Sequence, residues 1–160
     1  MSTSATVVVR HAHRTDLAAL KAILYDTFEA TWRPNVSTAD AEAFLAEDRS
    51  SAYVVQRGLD FWVAERDGEV VGLIHWEADF VHALHVRPRH AHTGVGSRLL
   101  DWAEADIARS GFAAARLETH SFNQVARAFY AARGYLEHDS YPDKEWNSGL
   151  TTLLLVKALT

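Results

Sequence analysis

Two glycines, Gly94 and Gly96, stand between a strand-like run that ends near Val86 and a helix-like apolar run that includes Leu99. Residues without side chains let the backbone lie close to an anion, and the first N–H groups of the following helix then point at it. Such a turn suits a pyrophosphate. The two glycines alone fit a purely structural loop equally well. A dinucleotide-binding fold is disfavoured, because its third glycine would fall at Leu99.

A second set of chemically capable residues begins at Asn123, the predicted start of another helix. Asn123 offers a donor and an acceptor suited to an amide-rich ligand, and Ala126 is small enough to leave room for one. Tyr130 places a phenol on the same helix. Phe129 is interpreted as a core aromatic, an interpretation that is also open for Tyr130.

The elements that must position these residues follow from the hydrophobic pattern. Thr15-Asp16 caps a first helix, and Ser37 or Thr38 caps a second whose buried face carries Ala41, Phe44 and Leu45. A helix after the glycine turn carries Leu99, Leu100, Trp102, Ala103 and Ile107 mainly on one side, and a further helix covers residues 123–133. Strands are predicted at residues 6–11, 61–65, 69–77, 80–86, 113–119, 135–139 and 151–156.

The predicted order is β-α-α-β-β-β-α-β-α-β-β in one α/β domain over residues 1–160. Asp67-Gly68 between two strand-like runs predicts a hairpin. The connection from residue 80 to residue 119 predicts a right-handed crossover between two parallel strands.

Composition excludes several classes of function. The 160 residues are 48% hydrophobic and 23% charged, with a net charge of −5 and no block of Lys and Arg, so a nucleic-acid partner is not expected. No run is long enough to span a membrane, and we expect a cytoplasmic protein. Cysteine is absent, which excludes a thiol nucleophile. The nine histidines show no H-E-x-x-H set, so no metal site is expected.

The motif Val86-x-Pro88 followed by Gly94-x-Gly96-x-x-Leu99-Leu100 resembles motif A of the GNAT superfamily of N-acetyltransferases. The residues from Asn123 through Tyr130 to Gly134-Tyr135 resemble its motif B, and the match spans nearly the whole chain. The resemblance implies a mostly antiparallel, twisted sheet of about seven strands flanked by four helices and splayed between two central parallel strands. One position departs from the family: Ala91 stands where Gln or Arg is usual, with Arg89 and His92 nearby as candidates to compensate.

The resemblance also implies an activity, namely transfer of acetyl from acetyl-CoA to a primary amine by direct attack in a ternary complex. Tyr130 would protonate the departing thiolate, and a backbone N–H near His85 or Val86 would polarise the thioester carbonyl. A non-catalytic acyl-CoA-binding sensor or partner-binding module is the alternative. The residues implied in cosubstrate binding are His85, Val86, His92, Thr93, Gly94, Val95, Gly96, Ser97, Asn123 and Ala126.

The amine must be deprotonated before it attacks, and His82 and Glu77 are the leading candidates for the base among His75, Glu77, Asp79, His82 and His85. In the family the acceptor lies by the first two helices and the loop before the last strand. Here those segments supply Trp32, Asp143 and Glu145, suited to a cationic amine. A polyamine-like amine, an amino-acid-like amine and a peptide amine all remain open, as do a monomer and a homodimer.

Overall fold

The computed structural model describes residues 6–143 and 149–159. These residues form two compact units. The first comprises the chain up to His75 together with Ala83–Ala103, and the second comprises Trp76–His82 and the chain from Glu104 onward. The expectation of one domain remains a prediction. Within the described residues, no helix combines the length and the apolar character needed to cross a bilayer.

The first unit is built on antiparallel strands. These are β1 (Val8–His11), β2 (Trp62–Arg66) and β3 (Glu69–Glu77), followed by β4 (Phe80–Val86). The register pairs His11 with Trp62 and Trp62 with Ile74. Both residues of the Asp67-Gly68 turn have positive φ, which confirms the predicted hairpin. Strands β3 and β4 have the predicted bounds.

Three helices precede the hairpin. α1 (Leu17–Thr27) continues through a π-helical turn to Trp32, and α2 (Thr38–Glu47) begins where the Ser37 hydroxyl accepts a 3.0 Å hydrogen bond from the Asp40 N–H. The predicted burial of Leu45 is wrong: 38% of it is exposed, because α2 buries little beyond Ala41. α3 (Arg49–Arg57) was not predicted, since its β-branched Val54 and Val55 do not favour a helix.

The core of the first unit forms where α1 and α3 pack onto the strands. The side chains of Leu20 and Ile23 are fully buried there, as is that of Val54. Burying one such side chain contributes about 1.5–3 kcal/mol. This core therefore fixes α1, whose last turn reaches the cleft described below. The described members of the cluster are Ala12, Leu20, Ile23, Leu24, Val54, Phe61, Val63, Val70, Leu73 and Ala83.

The start of α4 (Val95–Arg109) lies close to β3 at Gly72. A Cβ atom at Gly72 would be 3.0 Å from Val95 Cγ1 and 3.1 Å from both Leu99 Cδ1 and the His85 carbonyl oxygen. A larger residue at Gly72 would therefore displace the helix start that follows the glycine turn. Of the apolar residues predicted on one side of this helix, Leu99, Leu100 and Ala103 are buried. Trp102 is 44% exposed, and its ring centroid lies 5.1 Å from that of Trp62.

The second unit contains β5 (Ala114–His120), α5 (Gln124–Ala132), β6 (Leu136–Pro142) and β7 (Thr151–Ala158). β7 pairs antiparallel with both β5 and β6. The beginning of β4 pairs parallel with β5 through Phe80↔Arg116 and Val81↔Leu117, and both strands continue beyond these residues. The strand order is β1-β2-β3-β4-β5-β7-β6, the predicted mixed α/β sheet with one central parallel pair.

Candidate active site

The glycine turn follows a short 3₁₀ helix, Pro88–His90, and leads directly into α4. Gly94 has φ of +90°, a conformation that L side chains rarely adopt, and a Cβ atom there would meet no atom within 4 Å. The Gly94 carbonyl accepts a 3.1 Å hydrogen bond from the Arg98 N–H. The N–H groups of Val95, Gly96 and Ser97 belong to the first helical turn, which has no intrahelical acceptors. The turn thus has open space beside available donors and fits an anion.

The side chains of the turn serve mainly to hold its shape. The Thr93 hydroxyl donates a 2.5 Å hydrogen bond to the His90 carbonyl and accepts one of 3.1 Å from Arg66 Nη1. His92 has φ of +61° and is exposed. Thr93 and His92 were both predicted to bind the cosubstrate, and the Thr93 hydroxyl is already used in hydrogen bonds that hold the turn.

Several arginines lie around the turn. Arg89, which the sequence suggested as a replacement for the missing cation at Ala91, forms an ion pair with Glu69. Arg87 donates to Asp26 at 3.2 Å. The pKa of His90 is lowered by burial first, and then by the positive charges of Arg66, Arg89 and Arg87. These guanidinium groups lie close enough to the turn to favour a bound anion, and Asp67 opposes them in part.

The end of β4 carries His85 and Val86, both half-buried. Burial lowers the pKa of the His85 imidazole to about 4. This side chain is therefore neutral at physiological pH and contributes no positive charge to an anion site.

In α5, Asn123 serves as the N-cap. Its side-chain oxygen accepts a 3.0 Å hydrogen bond from the Ala126 N–H. The sequence predicted that Asn123 offers both a donor and an acceptor to a ligand, and one lone pair of that acceptor is used to begin the helix. The side-chain NH₂ group is the part suited to a ligand. Ala126 is half-buried in the first turn.

Tyr130 is 8% exposed and lies on the buried side of α5. Its ring meets that of Tyr135 edge to face, with 5.6 Å between centroids, and burial raises its pKa well above the usual value. Within the described part of the chain its hydroxyl makes no hydrogen bond, whereas the Tyr135 hydroxyl donates one to Glu104. Tyr130 is thus a protonated phenol whose O–H group donates no hydrogen bond within the described residues. Phe129, interpreted as a core aromatic, is only half-buried.

The five candidate bases lie in different environments. His82 and Glu77 are exposed, and the His82 ring lies 4.9 Å from that of Phe80. His75 is 1% exposed and shares a 2.5 Å hydrogen bond with the Tyr53 hydroxyl. The remaining strand carboxylate, Asp79, accepts two hydrogen bonds, of 2.9 and 3.0 Å, from Arg116.

A polar cluster on the second unit was missed by sequence reasoning. His120 Nε2 at the end of β5 lies 3.8 Å from Asp143 Oδ2, and the Tyr141 hydroxyl donates to Glu118. Polar residues at positions 118 and 120, alternating along one strand face, were the available signal. Asp143, predicted to contact the acceptor, is 8% exposed beside His120.

Two other predicted acceptor residues remain. Trp32 is half-buried, with its ring 6.0 Å from that of Phe44. Glu145 lies outside the described residues.

The first unit also contains an open cleft of about 520 Å³. One wall is the end of α1, with the carboxylates of Asp26 and Glu29, and the other is the segment after β4, with the guanidinium groups of Arg87 and Arg89. Both signs of charge therefore line one cleft. The sequence did not single out Asp26 or Glu29. The described lining consists of Asp26, Glu29, Ala30, Arg87, Pro88 and Arg89.

Comparison with known families decides the classification. Residues 19–135 match the model of the acetyltransferase (GNAT) family, which is well over half of the chain. The chain belongs to the GNAT acetyltransferase family. It is accordingly an N-acetyltransferase, an enzyme that transfers an acetyl group to an amine.

Relatives within the GNAT family agree with this placement. The chain is 26% identical over 160 residues to an uncharacterized N-acetyltransferase of Lactobacillus delbrueckii subsp. lactis, covering 90% of this chain and 92% of that protein. It is 28% identical over 137 residues to an aminoalkylphosphonate N-acetyltransferase of Salmonella typhimurium, covering 79% and 83% respectively.

Solved GNAT structures share the fold. A GCN5-related N-acetyltransferase of Rhodopseudomonas palustris superposes with a TM-score of 0.82 at 20% identity, covering 99% of both chains. The PaiA N-acetyltransferase of Thermoplasma acidophilum, solved with coenzyme A, has a TM-score of 0.75 at 23% identity, covering 96% of this chain and 99% of that one.

Proposed function

We propose that this acetyltransferase uses acetyl-CoA and acetylates the primary amine of a small molecule that also carries an acid group. The observation that supports the cosubstrate is the glycine turn. Gly94 has positive φ with open space beside it, and the first-turn N–H groups of α4 follow at once. The donors are backbone groups, so they are present in the proposed pyrophosphate site although position 91 carries no side-chain donor.

Individual residues then take these roles. The N–H groups of Val95, Gly96 and Ser97 bind the pyrophosphate, and the Asn123 NH₂ group donates to the pantetheine arm. Acetyl-CoA supplies the acetyl group as an activated thioester. Tyr130 donates its proton to the departing thiolate, a role supported by a hydroxyl that makes no hydrogen bond within the described part of the chain. Burial raises the pKa of this phenol, which keeps it protonated but makes it a weaker acid. The phenol is fully protonated at neutral pH and is therefore always ready to donate.

The base that deprotonates the amine has three candidates. His82 and Glu77 are the two predicted from the sequence, and both are exposed. His120 is the third, supported by its position 3.8 Å from the Asp143 carboxylate. A carboxylate beside an imidazole stabilises the imidazolium that forms when it takes a proton.

The cleft supports the choice of acceptor. The charged groups of the cleft are ion-paired in this structure, Asp26 with Arg87, Glu29 with Arg33 and Arg89 with Glu69. An acceptor that carries an ammonium group and a phosphonate or carboxylate would exchange with such pairs, its ammonium group against Asp26 and Glu29 and its acid group against Arg87 and Arg89. A purely cationic polyamine would match only the α1 wall. The relative from Salmonella typhimurium is named for aminoalkylphosphonates, compounds that carry both groups.

The first test is calorimetric titration with acetyl-CoA, followed by measurement of thiol release with a panel of amines. We expect micromolar binding of acetyl-CoA. Turnover should be higher with aminoalkylphosphonates and amino acids than with polyamines or short peptides. No binding at millimolar acetyl-CoA would overturn the proposed cosubstrate, and preference for polyamines would overturn the acceptor class.

Two glycine variants test the site itself. Gly94 and Gly111 both have positive φ and open space around a would-be Cβ atom, so Gly94→Ala and Gly111→Ala introduce similar backbone strain. Only Gly94 lies at the turn. Gly94→Ala should weaken acetyl-CoA binding at least about tenfold and Gly111→Ala should not, since a methyl group would fill the space assigned to the anion.

A further inference from the structure

Arg66, the last residue of β2, reaches the glycine turn although it lies 25 positions before Ala91 in the sequence. Its Nη1 donates to the Thr93 hydroxyl at 3.1 Å and lies 3.3 Å from His90 Nδ1. All of these residues belong to the first unit, and the Asp67-Gly68 hairpin directly after Arg66 fixes where β2 ends.

Two of the other arginines near the turn are held by carboxylates, whereas the Arg98 side chain donates only to the Val7 carbonyl, at 3.4 Å, among the described residues. Arg89 pairs with Glu69, and Arg87 donates to Asp26 at 3.2 Å and to the Val70 carbonyl at 3.0 Å. Arg66 has no carboxylate partner among the described residues. Arg66 and Arg98 are therefore the arginines with the least compensated charge, and of these two Arg66 contacts side chains of the turn itself, Thr93 and His90.

The guanidinium of Arg66 also has N–H donors that make no hydrogen bond among the described residues. Both contacts use Nη1, and Nε is buried without an acceptor among the described residues. A buried donor without a partner is unfavourable, so a small movement that brings Arg66 an acceptor would be stabilising. A phosphate oxygen is the acceptor that the planar guanidinium fork matches best.

We propose that Arg66 contacts the pyrophosphate of acetyl-CoA and supplies from β2 the positive charge that GNAT proteins usually place where this chain has Ala91. The inference rests on the proposed cosubstrate. It replaces Arg89 and His92, the compensating residues suggested by the sequence, with a residue remote in the chain. The same side chain also supports the turn through Thr93, so that the charge and the loop are positioned together.

Calorimetric titration with CoA tests this without requiring turnover. Arg66→Gln should weaken CoA binding about ten- to a hundredfold, the usual range for one charge-assisted contact. Arg109→Gln is the matched control: it makes the same change in net charge at the far end of α4, where the side chain is 74% exposed. If the unaltered protein binds CoA and Arg66→Gln binds it equally well, the inference fails while the proposed cosubstrate stands. Absence of binding by the unaltered protein would overturn both.

Dephospho-CoA identifies the phosphate concerned. It retains the pyrophosphate and lacks the 3′-phosphate, so Arg66→Gln should weaken both ligands by the same factor. A loss seen with CoA alone would overturn the assignment to the pyrophosphate.

Two further variants separate charge from loop support. Arg66→Lys keeps one positive charge without the fork, so its affinity should lie between those of the unaltered protein and Arg66→Gln. Adding Ala91→Arg to Arg66→Gln should restore affinity at least severalfold. Thermal unfolding of the ligand-free proteins shows whether these variants are as stable as the unaltered protein. If they are, and neither Arg66→Lys nor the added Ala91→Arg recovers CoA binding, Arg66 acts only on the shape of the loop and the proposal is wrong.

Discussion

The Tyr135 hydroxyl donates a 2.9 Å hydrogen bond to Glu104 Oε2, and this bond joins Tyr135, three residues beyond the end of α5, to the middle of α4. Lys157 Nζ contacts the other carboxylate oxygen at 2.6 Å. The Tyr135 ring is thereby fixed, and it meets the Tyr130 ring edge to face. The orientation of the proposed acid, Tyr130, consequently depends on a carboxylate that does not itself take part in the reaction.

Tyr130→Phe should lower kcat about ten- to a thousandfold, because the variant loses the proton donor to the thiolate. Its affinity for acetyl-CoA should change little. Steady-state thiol release and calorimetry measure the two quantities separately.

Tyr135→Phe is the matched control, since it also removes one phenolic hydroxyl. It should cost about 1 kcal/mol of stability through the lost hydrogen bond to Glu104 and change kcat only a few fold. Equal effects of the two variants on kcat would remove Tyr130 from the role of acid.

Glu104→Ala should destabilise the protein by about 3–5 kcal/mol, because it leaves the partly buried Lys157 ammonium without its close partner. Glu104 is only 9% exposed and also accepts from Tyr135. Glu104→Gln keeps an acceptor for Tyr135 and should cost less. Urea unfolding gives both values, and a loss below about 0.5 kcal/mol for Glu104→Ala would place this pair with ordinary surface ion pairs.

Sequence reasoning succeeded where the signal is local. The Asp67-Gly68 hairpin, the two glycines before α4 and the cap at Asn123 each depend on a few adjacent residues, and the structure has all of them. The bounds of β3 and β4 follow from alternation and β-branched residues in the same way.

The misses share a different cause. Arg66 meets Thr93 across 27 positions, and His120 meets Asp143 across 23, so neither contact has a signature within a sequence window. α3 is missed because its helical state is fixed by burial of Val54 in the core rather than by helix propensity. Asn123 was found at the start of its helix, but the sequence does not show that its oxygen accepts the capping hydrogen bond from the Ala126 N–H.

The base can be found from the pH dependence of kcat/KM. We expect one of the variants His82→Asn, Glu77→Gln and His120→Asn to lower kcat/KM about a hundredfold or more near neutral pH. In that variant the fall of kcat/KM at low pH, the acidic limb of the pH profile, should disappear. The other two variants should stay within a few fold. If the acidic limb persists in all three, a water molecule or the solvent deprotonates the amine.

The cleft predicts a charge-specific effect on the acceptor. Glu29→Gln should raise KM for an aminoalkylphosphonate several fold, because it removes a carboxylate that the proposed acceptor's ammonium group would share with Arg33. Glu42→Gln, at an exposed position of α2, is a control with the same change in charge. Equal KM values for the two variants would place the amine elsewhere.

His85 predicts how stability depends on pH. Burial lowers its pKa to about 4 from an unfolded value of 6.5, so between these values the unfolded chain binds the proton more tightly than the folded one. The contribution of the neutral ring is therefore complete above about pH 6.5 and is lost progressively as the pH falls towards 4. It amounts to at most about 3 kcal/mol, and to less where water reaches the half-buried ring.

Urea unfolding at pH 7, 5.5 and 4.5 isolates this contribution when the unaltered protein is compared with His85→Gln, because glutamine does not titrate in that range. The variant should be less stable at pH 7 through altered packing, yet lose less stability on acidification than the unaltered protein. The carboxylates common to both proteins, including Asp16 with its Arg10-lowered pKa, cancel in the comparison. Parallel pH profiles would mean that the imidazole at position 85 is as accessible to protons in the folded protein as in the unfolded chain.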